Sequence, residues 1–442
     1  MQWLDLHRVG FGECIVLGGR KKEILMVDCG CLGGRLENGQ LFSEYVRQLA
    51  HQYGRAKKRT FLLTHFHKDH YSGLPLLLKE NPGYFGQIFL PNCPLDEKGM
   101  PLLLELAILI ECFLPKQAVT ARMNVGALRV FDQVGKLAGP ETLYTLKEGD
   151  HFSFDGVDYE VLWPRREPYP FGDVCVHLSQ EANRILLRQH HARIAAFLEL
   201  KEELCMAYVR CMDAFSQETD ADEQERWDCM EDLCFLVRDL DAMIPALHLL
   251  PVAERIADLF CSQTSSMAYH QEVNGASLIF QNCSDGTLSY QDILMTGDAA
   301  PFSLDTVAGS LRENYYIVKA PHHGTRSGWW PGLEEMGISH ILISNGASGG
   351  GRVDPHYPSL NALHHCTSAE SCDFAQKYGC CNAGFVCPES MPQFNKPTAC
   401  LSLGCGIQIW PARTPFFCNC DHEPDITGYI PAKFRKKMRF YP

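Results

Sequence analysis

The sequence predicts a mixed α/β fold whose strands meet along one rim of a sandwich. Three observations predict it. Short apolar runs separated by glycine turns fill the first ninety-odd residues, the same texture returns after residue 275, and clusters of His and Asp sit directly behind several of these runs.

Residues 3–7 (WLDLH), 13–17 (ECIVL) and 24–28 (ILMVD) read as strands. The run 59–64 (RTFLLT) ends in a polar cluster, 87–90 (QIFL) follows it, and the helix-like stretch 72–80 between them closes a strand–helix–strand unit. Residues 152–154 and 158–162 form a hairpin through Asp155-Gly156, a tight-turn signal. The stretch 102–114 (LLLELAILIECFL) is too short to span a bilayer and contains Glu105 and Glu111, so it predicts a packed helix and no membrane insertion. From 172 to 268, Leu, Ile, Ala and Met recur at spacings of three and four, which predicts two or three long helices. Within that region, 216–241 carries ten acidic residues against two basic ones and reads as a solvated helix face with a loop. Strand texture resumes at 276–280, 293–296, 316–319 and 341–343. Cysteine-rich loops are expected over 366–396, then a closing hairpin from 400–403 and 407–410. The tail 431–442 mixes five basic residues with Phe434 and Phe440 and reads as a solvated terminus.

At 442 residues the chain has ample length for a large core. Hydrophobic residues at 46% and charged residues at 21% exclude wholesale disorder and fibrous classes. Lys+Arg number 40 against 53 Asp+Glu, a formal charge of −13, which argues against coating duplex DNA by bulk charge. A nuclease is still admitted, because a metal site and a local basic patch can outweigh net charge nearby. The first residues, MQWLDLHRVGFGECIVLGG, lack the basic and apolar segments of a secretion signal. Of 21 cysteines, twelve are scattered through the chain, Cys29 and Cys31 among them, and suit a reducing cytosol as small buried hydrophobes. A cytoplasmic location is therefore expected.

Thr64-His65-Phe66-His67-Lys68-Asp69-His70 follows an apolar strand. His65 and His67, two apart where the chain turns, can grip one cation through imidazole nitrogens. Asp69 and His70 can reach a second cation a few ångströms away. Residues 293–298 (ILMTGD) deliver Asp298 at another strand tip, and 320–325 (APHHGT) deliver His322 and His323 at a third.

His65-x-His67-x-Asp69-His70 followed by Thr296-Gly297-Asp298 resembles the signature of the metallo-β-lactamase superfamily. The finer resemblance is to the hydrolase domain of ComEC-type competence proteins and their soluble relatives. It is carried by 9–13 (VGFGE), 26–30 (MVDCG), 63–70 (LTHFHKDH), 146–150 (LKEGD), 162–164 (LWP), 274–278 (NGASL), 294–298 (LMTGD), 319–324 (KAPHHG) and 354–358 (DPHYP), in that order. The resemblance implies an αββα sandwich with helices on both outer faces and two divalent ions, zinc or manganese, at one edge. It implies that His65 and His67 hold the first ion, Asp69 and His70 the second, and that Asp298 bridges them. Of the paired imidazoles, His323 is expected to ligate and His322 to face substrate, with the reverse order left open. Asp28 is expected to anchor the ligand loop, and His356 to lie near substrate. Many superfamily members place a third histidine for the first ion where this chain has Asn274; His270, four residues upstream, either reaches in or is an ordinary polar residue.

The resemblance divides the chain into two halves of one fold, 1–171 and 269–365. Between them lies a helical insertion, 172–268, read as a lid or a docking surface for a protein partner. A Cys-rich insertion follows at 366–396, then closing strands and a basic tail at 397–442. Cys366, Cys372, Cys380, Cys381, Cys387, Cys418 and Cys420 are candidates for a structural zinc; free thiols and disulfides are the competing readings, since the spacings are irregular. The expected function is a binuclear metal-dependent hydrolase, most concretely a phosphodiesterase or nuclease acting on DNA or RNA through metal-bound hydroxide. Coordination lowers the pKa of bound water to about 7, and Asp69 is placed to orient the nucleophile or accept its proton. The alternatives are a hydrolase of a small phosphoester, of nucleotide or phosphorylcholine type, and a non-catalytic, metal-stabilised binding protein.

Overall fold

The computed structural model describes residues 1–367, except 37–38, 115–125, 167, 218, 220, 285–288, 290, 347–352 and 361, together with strand residues 385–386 and 406–409. Strands β1 (Trp3–His7), β2 (Ile15–Gly18), β3 (Glu23–Val27), β4 (Lys58–Leu62), β5 (Gln87–Pro91) and β6 (Leu143–Leu146) lie side by side in chain order. The first three are antiparallel, and β3 to β6 run parallel. A second sheet holds β7 (His151–Phe154), β8 (Val157–Trp163), β9 (Ile279–Asn282), β10 (Ile293–Met295), β11 (Asn314–Lys319), β12 (Gly337–Ile343), β13 (Leu363–Cys366) and β14 (Phe385–Val386), also in chain order. From β10 onward its neighbours are parallel. β15 (Gly406–Ile409) then returns to the first sheet, antiparallel to β1, with Leu4 opposite Ile409.

The period-2 alternation of strand side chains makes the layers. On β3, Leu25 and Val27 point into a core between the sheets, while Ile24 and Met26 point outward. Leu4, Leu6, Leu62 and Leu146 join that inner core from the first sheet, and Tyr159, Phe280, Met295 and Ile317 from the second. The outward residues share another core with helices: Tyr45, Val46 and Leu49 of Phe42–Gln52, Leu77 and Leu78 of Leu74–Glu80, and Leu304 of Pro301–Val307. The described residues therefore form a mixed α/β sandwich of two sheets covered by helices. No described helix is long and apolar enough to cross a membrane.

The region 172–268 forms five helices rather than two or three: Asp173–Leu187, Ala192–Ala214, Glu223–Leu247, Val252–Cys261 and Gln263–Gly275. Apolar periodicity runs on across their breaks, so period alone merges them. The breaks are set by caps and turns. The Asp222 carboxylate accepts from the Glu225 N–H, Ser262 Oγ accepts from the Ser265 N–H, and Pro251 precedes the fourth helix. The last helix runs past 268 to Gly275, which pushes the following strand from 276–280 to Ile279–Asn282. Rather than lying over the sandwich, these helices share its outer core. Phe113 and Phe197 meet edge to face at 5.1 Å, Phe131 lies 5.7 Å from Tyr208, and Lys201 pairs with Glu105 in the buried helix Leu102–Phe113. The acidic residues of Glu223–Leu247 are exposed, as expected. β6 and the helix Ala127–Ala138 were not predicted from sequence: the first is four residues long, and the second is a short amphipathic segment behind a glycine.

Cys366 is not in a loop but ends β13, where it is buried. Cys372, Cys380, Cys381, Cys387, Cys418 and Cys420, the strand expected at 400–403 and the basic tail lie outside the described residues.

Phe280 sits between the sheets with its ring 5.3 Å from Phe152 and 6.2 Å from Tyr159. Phe280→Ala is expected to lower stability by about 3–5 kcal/mol, read as a fall in the denaturant midpoint at unchanged slope.

Candidate metal centre

Parallel pairing of β3 and β4 puts the ends of both strands at the same rim, and Asp28, just past β3, uses that position. Its backbone is left-handed, with φ at 57°. The carboxylate accepts from the Thr64 N–H at 2.7 Å and from the Thr64 hydroxyl at 2.7 Å. It also lies 2.8 Å from His70 Nδ1. A carboxylate oxygen accepts here, so His70 Nδ1–H donates to Asp28 and the ring turns Nε2 toward the cluster. The ligand loop is clamped from its other side by residues 29–30. The Cys29 N–H donates to the His70 carbonyl at 2.7 Å, and a Cβ on Gly30 would fall 2.2 Å from the Asp69 carbonyl carbon, so only glycine fits there. The short helix Lys68–Tyr71 then turns Asp69 and His70 inward.

β10 and β11 supply the opposite wall. Asp298 follows β10, and its N–H donates to Ser277 Oγ at 3.2 Å. The two Asp298 oxygens have different neighbours. Oδ1 lies 3.3 Å from the Lys319 ammonium. Oδ2 lies 3.3 Å from His70 Nε2, 3.2 Å from His323 Nε2, 3.9 Å from His322 Nε2 and 4.0 Å from His65 Nε2. His323 Nε2 is also 3.3 Å from His70 Nε2 and 3.4 Å from Asp69 Oδ2. The Ser344 carbonyl, 2.7 Å from His323 Nδ1, again fixes the proton on the outer nitrogen. His65 Nε2 meets His67 Nδ1 at 3.0 Å.

Burial works against every charge here, and the neighbours decide what survives. Burial opposes the charge on Asp69, yet the hydrogen bond to His323 and the nearby imidazoles hold it below the ordinary carboxylate range. Asp298 is likewise held well below it, by His323, His70 and Lys319 against burial. Asp298 and Asp28 raise His70 well above its usual value despite burial, and Asp298 and Asp69 raise His323 to about 9. Burial pushes His65 and His67 down and His322 to about 4. The carboxylates thus draw positive charge to the points where ring nitrogens converge.

That donor set fits divalent cations. Glu13, His70, Asp298 and His323 each offer an atom within 4.8 Å of the others. Four ligands about 2.0–2.1 Å from a tetrahedral zinc lie about 3.4 Å apart; Asp298 Oδ2 lies 3.3 Å from His70 and 3.2 Å from His323, and His323 lies 3.3 Å from His70 and 3.4 Å from Asp69. The converging donors are imidazole nitrogens and carboxylate oxygens with no thiolate, a set that suits a divalent cation.

The structure brings together Asp28, His65, His67, Asp69, His70, Asn274, Asp298, His322 and His323. His356 stands apart: its half-exposed ring lies 2.6 Å from Asp354 and stacks on Trp329 at 4.9 Å. Two residues without an assigned role in the sequence, Glu13 and Lys319, also reach the site, as does His270, for which the sequence left two readings open. Glu13 and Lys319 form a fully buried ion pair of 2.6 Å behind Asp298, and Lys319 donates to the Gly297 carbonyl at 2.7 Å. A lysine ending the apolar run YYIVK was the available signal. His270, four residues before Asn274 on the same helical face, places Nδ1 3.2 Å from His67 Nε2. Cys31 is buried, and burial pushes its thiol up, away from nucleophilic use.

No family model matches the chain, and no curated protein matches it. Three solved structures show slight similarity. The native FEZ-1 metallo-beta-lactamase from Legionella gormanii is 9% identical, covering 55% of this chain and 97% of its own at a TM-score of 0.21. MEM-A1, a subclass B3 metallo-beta-lactamase from a soil metagenome library, is 11% identical, covering 55% and 94% at 0.19. The metallo-beta-lactamase SMB-1 bound to 2-mercaptoethanesulfonate is 14% identical, covering 62% and 93% at 0.17. Likeness this slight leaves the functional reading to the geometry of the site.

Removing the Asp28 carboxylate strips the ligand loop of three hydrogen bonds. Asp28→Ala is expected to weaken divalent-metal binding by about 10–100-fold, measured by competition with a chromogenic chelator.

Proposed function

We propose that the protein is a binuclear metal-dependent hydrolase of the metallo-β-lactamase superfamily and that it cleaves phosphodiesters, with nucleic acid as the substrate class. The observation that carries this reading is the convergence of four imidazoles, His65, His70, His322 and His323, from two segments of the chain within 4.0 Å of the single oxygen Asp298 Oδ2. Two divalent ions bound there supply an activated water at neutral pH and neutralise charge on the attacked ester.

The protein's own residues do the rest. Asp298 offers Oδ2 to both sides while Lys319 neutralises Oδ1, so the carboxylate stays ionised at the centre. Asp28 and Ser344 keep His70 and His323 in the tautomer that presents Nε2. Asp69, held ionised, is placed to orient an attacking water or take its proton. The Trp329–His356 stack stands on the turn that carries His322 and His323: the Asp354 N–H donates to the Gly324 carbonyl at 2.8 Å, and Thr325 bridges to Val353. Aromatic surface on that turn would suit a nucleobase of a bound phosphodiester. Twelve described cysteines, from Cys14 to Cys283, are in no disulfide among the described residues, which fits the reducing, cytoplasmic setting of this reading. The net charge of −13 favours the second reading, a small phosphoester in place of a polymer.

One substrate panel tests both: single- and double-stranded DNA, RNA and bis-p-nitrophenyl phosphate, each with Mn²⁺ or Zn²⁺. Polymer cleavage is expected. Turnover of the small ester alone selects the second reading, and silence with every metal removes both. His67→Ala and Asp298→Ala are each expected to lower kcat by about a hundredfold or more, the loss of several kcal/mol of transition-state stabilisation.

A further inference from the structure

The turn Pro321–Gly324 places two neighbouring residues in the left-handed region, His322 at φ 46° and His323 at φ 56°. Neither is glycine, and side-chain sterics disfavour that conformation even once. The result is that consecutive imidazoles, which an extended chain would send to opposite sides, both turn to Asp298. His323 Nε2 stands 3.2 Å from Asp298 Oδ2 and His322 Nε2 stands 3.9 Å from the same atom. His323 closes the compact group with Asp69 and His70. His322 stands away from that group, its ring 6.0 Å from that of His323 and its Nε2 3.2 Å from Asn274 Nδ2; His65 Nε2 is a further imidazole on Oδ2, at 4.0 Å.

His65 and His67 converge through Nε2 and Nδ1, 3.0 Å apart. His67 turns its remaining nitrogen outward to His270 Nδ1 at 3.2 Å, so His270 supports His67 from behind and does not enter the cluster itself. Two imidazoles and a shared carboxylate make three of the four donors a tetrahedral zinc takes, the fourth being a protein group or a water. His322, with Nε2 3.9 Å from Asp298 Oδ2, is placed to be a fourth protein group. Ser327 Oγ lies 2.9 Å from its Nδ1, and Nε2 stands between Asp298 Oδ2 at 3.9 Å and the Asn274 amide. Asn274 stands beside it, with Nδ2 3.2 Å from His322 Nε2; its Oδ1 is buried and has no hydrogen-bond partner among the described residues.

We propose that His322 is a ligand of the first metal site, together with His65, His67 and Asp298, so that the two adjacent histidines hold different ions. The inference rests on the binuclear reading above and sharpens it. His270 and Asn274, both on the helix Gln263–Gly275, are positioning residues for the same site, the first through His67 and the second through His322.

The test counts ions as well as rates. Chelator-stripped full-length protein is reloaded with Zn²⁺ or Co²⁺, desalted and analysed for metal, and the weaker ion is titrated against a chromogenic chelator. His322→Ala is expected to retain one ion fewer than wild type, or to hold one ion at least about 10–100-fold more weakly, while Asp69→Asn loses the other. In the cobalt-loaded protein, each variant is expected to remove a different part of the visible absorption. If His322→Ala keeps both ions at wild-type affinity and changes only KM, His322 is a substrate contact and the proposal is wrong. If wild type itself takes up no ion at this site, the binuclear reading fails first, and the failure is visible before any variant is made. Should His322→Ala not fold, Ser327→Ala removes only the Nδ1 partner. It is expected to weaken the same ion about tenfold; unchanged affinity for both ions overturns the proposal.

Discussion

A carboxylate with 2% of its side chain exposed is the constraint around which this molecule is arranged. Burying an ionised group without partners is costly, and removing one partner of a buried pair leaves the remaining charge uncompensated. Asp298 meets the problem by dividing its oxygens: the Glu13–Lys319 pair neutralises one, and the imidazoles surround the other. Backbone geometry makes the approach possible. Gly297 has φ at 49°, and a Cβ there would lie 2.9 Å from Thr64 Cβ and 3.0 Å from Ser277 Cβ, so the tip of β10 can touch the ligand loop only because the residue is glycine.

The helical region is joined to this centre at its last element. Gly275, ending the helix that carries His270 and Asn274, has its carbonyl fixed by Trp163 Nε1–H at 2.6 Å and by the Ser303 hydroxyl at 2.8 Å. Farther back, the preceding helices share one apolar core with Leu102–Phe113 and Ala127–Ala138. The outer face of His67 is therefore set by packing that begins far from the rim. Residues 172–268 belong to the architecture of the site as well as to its surroundings.

Much of this was legible in the chain. The strand runs, the packed helix at 102–113 and the cluster His65 to His70 follow from apolar alternation and from polar residues placed just beyond it. Asp28 was readable as an anchor only through the family resemblance, since a strand-end aspartate by itself shows no role. The number of helices between 172 and 268 was less legible, since periodicity persists across capped breaks. Glu13 and Lys319 stood within family-like segments without revealing a role, because an ion pair between residues 306 positions apart leaves no local pattern.

By itself the sequence determined which donors exist and that three strand ends would present them, because alternation along a strand and the turn behind it are local properties. Only the tertiary structure decided how those donors are shared out. Which imidazole nitrogen is tied back, which Asp298 oxygen faces Lys319, and that His270 stands behind His67 all depend on contacts between segments distant in the chain. Such contacts are selected by the packing of two sheets and their helices, and no spacing between neighbouring residues encodes them.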